Sequence, residues 1–270
     1  MTLPMRVALV ASDWEIDGPT GRGGGIETYV RVMARGLAAA GHDVHVIGRG
    51  AWRTGTSVVD GVHLHALHVP DPWDREDADL GEARDALAFA WHAWRHVRAL
   101  AAEGGPFDLV EAPEYKAQGC YLARDPAVRL VVKCHAHLTL CLDLNGVPLG
   151  LDTALLADLE RETLGRAAAV HANSRALAAR VASDYGLDQS GIATVAYGID
   201  TAHFCPVASD LRVEWGIGDR PVVLFVGRME PRKGIATLVP AFAELARRRD
   251  DVVMIVAGPD TVGPGRPSQR

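Results

Sequence analysis

Residues 5–12 and 25–48, MRVALVAS and GIETYVRVMARGLAAAGHDVHVIG, decide the fold. The first stretch is a mostly apolar run, which is typical of a strand buried on both faces of a parallel sheet. Gly25–Ala40 carries apolar residues at helical spacing, and Gly41 follows it as a C-cap. Asp43–Gly48 is a second apolar run. Strand, helix and strand in this order predict a parallel β-α-β unit.

The same alternation continues to about residue 196. It predicts a doubly wound parallel sheet in a Rossmann-like α/β domain. Further strands are predicted at 62–69, 108–112, 130–135, 169–172 and 192–196, helices at 82–103, 115–124, 152–168 and 175–185, and a loop at 71–80.

The periodic pattern stops at Gly198–Ser209, where Gly, Asp and Pro appear without period. We therefore predict an N-terminal domain over 1–198, a linker over 199–220 and the start of a second domain over 221–270. The last segment predicts only a strand at 222–226, a helix at 234–249 and a strand at 252–257. Because this incomplete β-α-β unit is too small for a domain, we expect a ligand site built on it to be incomplete as well.

Composition excludes several classes of protein. Hydrophobic residues make up 48% and charged residues 23% of the 270, which is ordinary for a globular protein. The net charge of -6 argues against a nucleic-acid-binding surface, which needs clustered Lys and Arg. The four scattered cysteines, the lack of a signal peptide and the lack of about 18 successive apolar residues predict a cytoplasmic protein without a transmembrane segment. Peripheral membrane contact stays open.

A glycine-rich loop at Gly21–Gly25 leads into the first helix. The free N–H groups of a helix N-terminus can bind an anion. The loop after the first strand is longer than the tight turn of a dinucleotide-binding fold, and Gly48-Arg49 ends the second strand without an acid for a ribose. A flexible surface loop is the alternative.

A second glycine-flanked block, Gly227–Gly234, joins a strand to a helix. Its Arg228 and Lys233 could neutralise a diphosphate, since Arg offers a planar fork of donors and Lys a point charge. A solvated basic turn is the alternative reading.

Two candidate sites follow predicted strands. His135 closes one strand at its carboxyl end, where open α/β sheets bind ligands, and His137 comes two residues later. We expect His135 to face a cleft and His137 to be dispensable; no third ligand nearby supports a metal site. Glu111 and Glu114 either cap the following helix or contact an acceptor substrate.

Seven segments together resemble the family 4 glycosyltransferases, retaining enzymes of the GT-B architecture. They occur in the order and at the spacing of that family across nearly the whole chain: GGGIETYV (23–30), FDLVEAPEY (107–115), VVKCHAH (131–137), HANSRA (171–176), VAYGIDTAHFCP (195–206), VLFVGRMEPRKGIATLVPAF (223–242) and VMIVAGPD (253–260).

The resemblance implies that the N-terminal domain holds the acceptor and the C-terminal domain the nucleotide-sugar donor. Arg228 and Lys233 would then contact the donor diphosphate, Gly24 and Gly25 would lie close to it, and His135 would touch the transferred sugar. Glu111 would contact the acceptor, a carbohydrate or a lipid-linked molecule. Such enzymes need neither a metal nor another cofactor, because Arg and Lys stabilise the leaving diphosphate.

Members of the family continue well beyond the segment that matches the end of this chain. We therefore expect the chain alone to be incomplete as an enzyme. A non-catalytic acceptor-binding or partner module is the alternative function. A nicotinamide-dependent dehydrogenase is a third, which the poor dinucleotide fingerprint argues against.

Overall fold

The computed structural model describes residues 3–15, 24–50, 54–70 and 80–258. Gly21–Gly23 of the glycine loop, nearly all of the predicted loop at 71–80 and the tail from 259 lie outside these ranges. The chain divides into two compact units. The first comprises Met1–Leu140 and Leu149–Asp200, and the second comprises Cys141–Pro148 and Thr201–Arg270.

The first unit is built on an eight-stranded sheet in the order β3-β4-β2-β1-β5-β6-β7-β8. All neighbouring strands are parallel except β3 and β4, which are antiparallel. The strands are β1 Arg6–Glu15, β2 Asp43–Arg49, β3 Gly55–Val59, β4 Val62–Leu67, β5 Leu109–Pro113, β6 Leu130–Cys134, β7 Ala169–Ala172 and β8 Ile192–Thr194.

Helices cover both faces of this sheet. They are α1 Gly25–Ala39, α2 Gly81–Gly104, α4 Leu151–Arg166 and α5 Arg175–Tyr185, while α3 Leu138–Asn145 begins in this unit and ends in the second. Ile26 of α1 packs with Leu9 of β1 on one face. Phe89 of α2 and Val181 of α5 pack with Val10 and the other core residues of the opposite face. The predicted doubly wound α/β fold is confirmed.

Three local predictions were wrong. The expected helix at 115–124 is two short 3₁₀ turns, Tyr115–Ala117 and Leu122–Arg124, and the positive φ of Lys116 (57°) and Ala117 (52°) interrupts any helix there. Strand β3 was not predicted because its five residues are all exposed and carry no buried apolar pattern. Helix α3 was not predicted.

The second unit contains the short helix α6 Leu211–Glu214, strand β9 Val222–Val226, helix α7 Ile235–Arg248 and strand β10 Val253–Ala257. Strands β9 and β10 form a two-stranded parallel sheet. Their carboxyl ends approach so closely that a Cβ on Gly258, whose φ is 148°, would lie 2.0 Å from the carbonyl oxygen of Gly227. Glycine is therefore required at this position.

No helix within the described ranges combines the length and the apolar character needed to cross a membrane. In the first unit the strand order reverses between β1 and β5. Open α/β sheets bind ligands at the carboxyl ends of the strands beside such a reversal.

Candidate functional site

The sheet register collects three ionisable side chains on one face of β5, β6 and β7. Lys133 is paired directly with His171, and Glu111 with Val131, two residues before Lys133. Because alternate residues of a strand share a face, Glu111, Lys133 and His171 lie on the same side of the sheet. Sequence reasoning missed Lys133 and His171, although a Lys within the apolar run VVKC was a usable signal.

Glu111 joins the sheet to helix α1. Its Oε1 accepts a hydrogen bond from the Tyr29 hydroxyl at 2.9 Å, and its Oε2 lies 3.0 Å from His171 Nε2. Burial, and next the negative charge of Glu111, raise the pKa of the Tyr29 phenol. The hypothesis that Glu111 or Glu114 caps the following helix was wrong, since the 3₁₀ turn that begins at Tyr115 has no side-chain cap.

Lys133 is 1% exposed, so its ammonium group needs partners inside the protein. Its Nζ donates to the carbonyl oxygen of Val195 at 3.0 Å and lies 3.5 Å from His171 Nδ1. The same nitrogen lies 5.2 Å from the ring centre of Tyr29 and 5.0 Å from that of Tyr197, within the range of cation–π attraction. Burial lowers the pKa of Lys133, although the charge of Glu111 opposes this change.

His135 follows β6 directly and is held from two directions. Its Nδ1 lies 2.7 Å from the Tyr197 hydroxyl, and its backbone N–H donates to Glu114 Oε1 at 2.7 Å. Burial first, and then the nearby Lys133 and His171, lower the pKa of His135 to about 3. The imidazole is therefore neutral at physiological pH, and its Nδ1 is bound to Tyr197.

Two buried carboxyl groups support the turn that carries His135. Glu160 of α4 accepts hydrogen bonds from the backbone N–H groups of Lys116 (2.6 Å) and Leu138 (3.1 Å), and from the hydroxyl of Tyr185. Burial raises the pKa of Glu114 to about 8, with a further contribution from the charge of Glu160. Burial also raises the pKa of Glu160 to about 7. The pair therefore favours its protonated, neutral forms.

His137 belongs to the core and not to the cluster around His135. Its side chain is completely buried, its Nε2 lies 2.7 Å from Asp184 Oδ2, and its ring packs edge-on against Tyr185 at 5.0 Å. The expectation that His137 is dispensable does not fit this burial, because removal of its ring leaves a cavity beside Tyr185.

The basic block of the second unit lies on the turn between β9 and α7. Arg228 follows Gly227 directly, and Lys233 ends a 3₁₀ turn, Pro231–Lys233, before Gly234. Both side chains are exposed, and Arg228 Nε lies 3.6 Å from Glu230 Oε1. A basic turn at the carboxyl end of a parallel strand is suited to bind an anion.

Gly24 and Gly25 begin helix α1, with Gly24 as the N-cap. Gly24 makes no side-chain cap, and a Cβ at either glycine would meet nothing within 4 Å. The N–H groups of a helix N-terminus are suited to bind an anion.

Residues 23–203 match the sequence profile of Glycosyltransferase Family 4. The chain belongs to this family. Residues 208–268 match a second profile, Glycosyl transferases group 1. The family 4 match spans the segment that contains Glu111, Lys133, His135, His171 and Tyr197, and the second match contains Arg228 and Lys233.

A relative of this family 4 chain is the D-inositol 3-phosphate glycosyltransferase of Gordonia bronchialis. The two are 31% identical over 288 residues, which cover 98% of this chain and 60% of the relative. The chain thus spans about three fifths of the length of that relative.

Solved structures share the fold. The sucrose-phosphate synthase of Thermosynechococcus elongatus aligns with a TM-score of 0.66 at 20% identity, covering 94% of this chain and 71% of the other. Anabaena HepE, solved in complex with UDP and glucose, aligns with a TM-score of 0.63 at 19% identity, covering 96% and 62%.

Proposed function

We propose that this family 4 chain serves the transfer of a sugar from a nucleotide-diphosphate donor to an acceptor hydroxyl, with retention of the anomeric configuration, and that the chain alone is incomplete for this reaction. The observation that carries the proposal is the neutral His135 at the carboxyl end of β6, held by Tyr197 and Glu114. A neutral imidazole can exchange hydrogen bonds with sugar hydroxyls without adding charge beside a developing oxocarbenium ion. His135 is therefore assigned to the transferred sugar.

The donor diphosphate is assigned to the second unit. Arg228 and Lys233 are exposed on a turn between a strand and a helix, and their cationic groups would neutralise the charge that develops as the nucleoside diphosphate leaves. The match of residues 208–268 to Glycosyl transferases group 1 supports this role. So does the presence of UDP in the HepE structure. Gly24 and Gly25, at the start of α1, are assigned to the same phosphates.

The acceptor is assigned to the first unit, with Glu111 as a candidate contact. Its carboxylate already binds Tyr29 and His171, which hold it in one orientation. The name of the Gordonia relative makes a phosphorylated polyol the first acceptor class to test, ahead of a lipid-linked carbohydrate.

The test is a matrix of donors and acceptors. The purified protein is incubated with UDP- and GDP-sugars, each with D-inositol 3-phosphate, a simple glycoside or a lipid-linked sugar, and release of the nucleoside diphosphate is measured. We expect little or no release from this chain alone. When the chain is joined to the remaining C-terminal part of a relative, we expect acceptor-dependent release with one donor class, and an NMR spectrum of the product that shows the anomeric configuration of the donor. A product of inverted configuration would reject the retaining mechanism but not the glycosyltransferase function. Tight binding of a nicotinamide cofactor without sugar transfer would reject the proposed function.

A further inference from the structure

A second polar cluster lies at the amino ends of β2 and β4, whereas His135 follows the carboxyl end of β6. His45 of β2 is paired in register with His63 of β4, and their rings stack at 4.7 Å with an interplanar angle of 14°. Asp43 stands two residues before His45 and so shares its face of the sheet. Parallel pairing therefore brings one carboxylate and two imidazoles together.

The ligand atoms of these three side chains converge. Asp43 Oδ1 lies 3.1 Å from His45 Nε2 and 3.7 Å from His63 Nε2, and all three atoms lie within 4.8 Å of one another. Nitrogen ligands bind zinc at about 2.0–2.1 Å, which places tetrahedral ligands about 3.4 Å apart. Because the rings of His45 and His63 are stacked at an interplanar angle of 14°, the two side chains must rotate before both Nε2 atoms can face one ion. Over the part of the chain that the structure describes, no other such group of metal-ligating residues occurs.

A chain of hydrogen bonds from Thr56 through His65 orients the imidazole of His45. Its Nδ1 lies 2.9 Å from Nε2 of the buried His65, and His65 Nδ1 lies 3.3 Å from the Thr56 hydroxyl. Each of these groups can donate or accept, so His45 can donate from Nδ1 and leave Nε2 free to coordinate a metal. An outer partner on the second imidazole nitrogen is the usual arrangement for a ligating histidine.

Charge and access are also compatible with a cation. Arg6 Nε contacts the other oxygen of Asp43, Oδ2, at 3.1 Å. Arg6 is held independently by the carbonyl oxygen of Leu100 at 3.2 Å and by the ring of Phe107, 4.5 Å away, so it does not need Oδ1. The side chains of Asp43 and His63 are 47% and 42% exposed, which gives an ion a route from solvent.

We propose that Asp43, His45 and His63 form a binding site for a divalent metal ion of the zinc type, with water in the fourth position. Two imidazoles and one carboxylate are a ligand set that zinc accepts. The metal would tie the amino end of β2 to that of β4. Its role is therefore structural, apart from sugar transfer at the carboxyl ends of the strands.

The test uses the purified protein after EDTA treatment and buffer exchange. Zn²⁺ is titrated by calorimetry, Co²⁺ by its visible absorption, and Tm is measured with and without Zn²⁺. His63→Ala removes a ligand that is only half-buried, and His63→Gln keeps a polar side chain of similar length. His68→Ala is the matched control, since His68 is an exposed histidine just beyond β4.

We expect one Zn²⁺ per chain, the absorption of tetrahedral Co²⁺ and a higher Tm with Zn²⁺. Either His63 variant should bind Zn²⁺ at least about tenfold more weakly, because loss of even an outer partner costs 10–100-fold in affinity. Both should also lose the Tm increase, whereas His68→Ala should behave as the wild type. Absence of Zn²⁺ binding to the wild type, or equal binding by wild type and His63 variants, would overturn the proposal.

Discussion

His135 Nδ1 and the Tyr197 hydroxyl are 2.7 Å apart, and this hydrogen bond joins the end of β6 to the segment that follows β8. Tyr197 is 44% exposed, whereas the pKa of His135 is lowered to about 3 by burial first and then by Lys133 and His171. The tyrosine thus fixes the orientation of a neutral imidazole without belonging to the core.

The first prediction concerns this bond. Tyr197→Phe keeps the ring but loses the hydroxyl, so His135 should be less well oriented and kcat should fall by roughly three- to tenfold, the equivalent of about 0.7–1.4 kcal/mol. Tm should change little because the ring is partly exposed. Steady-state kinetics and thermal unfolding check both parts. Unchanged kcat would show that the bond does not orient a functional His135.

The second prediction concerns the diphosphate. Arg228→Ala and Lys233→Ala should each weaken kcat/KM for the donor by about 1.5–3 kcal/mol, roughly 10- to 150-fold, since each removes a charge-assisted hydrogen bond. Arg247→Ala is the control, because this exposed arginine lies on the last turn of α7 and pairs only locally with Glu244. A donor dependence unchanged in both variants would contradict the assignment.

The third prediction concerns Glu114 and the pH dependence of stability. The pKa of Glu114 is raised to about 8, from an ordinary value near 4.5, mainly by burial. Between these pH values the folded state binds more protons than the unfolded state, so this group makes the free energy of unfolding fall as pH rises. Its Oε2 is also buried without a hydrogen-bond partner among the described residues.

Glu114→Gln stays neutral at every pH and keeps an oxygen that can accept from the His135 N–H. The variant should therefore gain stability relative to the wild type as pH rises from about 5 to 8. Urea unfolding of both proteins across this range measures the difference, in which the contributions of groups that do not interact with Glu114 cancel. A constant difference would mean that Glu114 ionises normally.

The fourth prediction concerns the close approach of β9 and β10. Gly258→Ala places a Cβ 2.0 Å from the carbonyl oxygen of Gly227 at a φ of 148°, so it should destabilise the second unit by about 1–3 kcal/mol or more. Gly165→Ala on α4 is the control, because its Cβ would meet nothing within 4 Å. The rate of cleavage by a protease is measured for both variants, and Gly258→Ala should be cleaved faster than Gly165→Ala. Equal sensitivity would show that the strand ends separate readily.

The sequence predicted the architecture because the strands of the first unit are short apolar runs separated by helical stripes. The prediction failed for elements that have no pattern of buried apolar residues. Strand β3 is exposed throughout. The turns after β5 depend on positive φ at Lys116 and Ala117, and the sequence around these two non-glycine residues does not predict that conformation.

The site was predicted in part for a related reason. Glu111 and His135 stood out as polar residues at or near strand ends. The links of Glu111 to Tyr29 and of Lys133 to His171 depend on helix packing and on the register of β6 with β7. Tyr197 reaches His135 from 62 residues away. Such contacts follow from the tertiary structure and not from spacing along the chain.

The central claim is that this chain carries part of the site of a nucleotide-sugar glycosyltransferase, with His135 at the transferred sugar. The most direct test is turnover by His135→Ala, in the chain joined to the remaining C-terminal part of a relative, with the donor and acceptor that the wild type uses. We predict a fall in kcat of about 10²-fold or more, as for loss of one transition-state hydrogen-bond partner, with Tm nearly unchanged. Wild-type turnover by a folded His135→Ala protein would contradict the account.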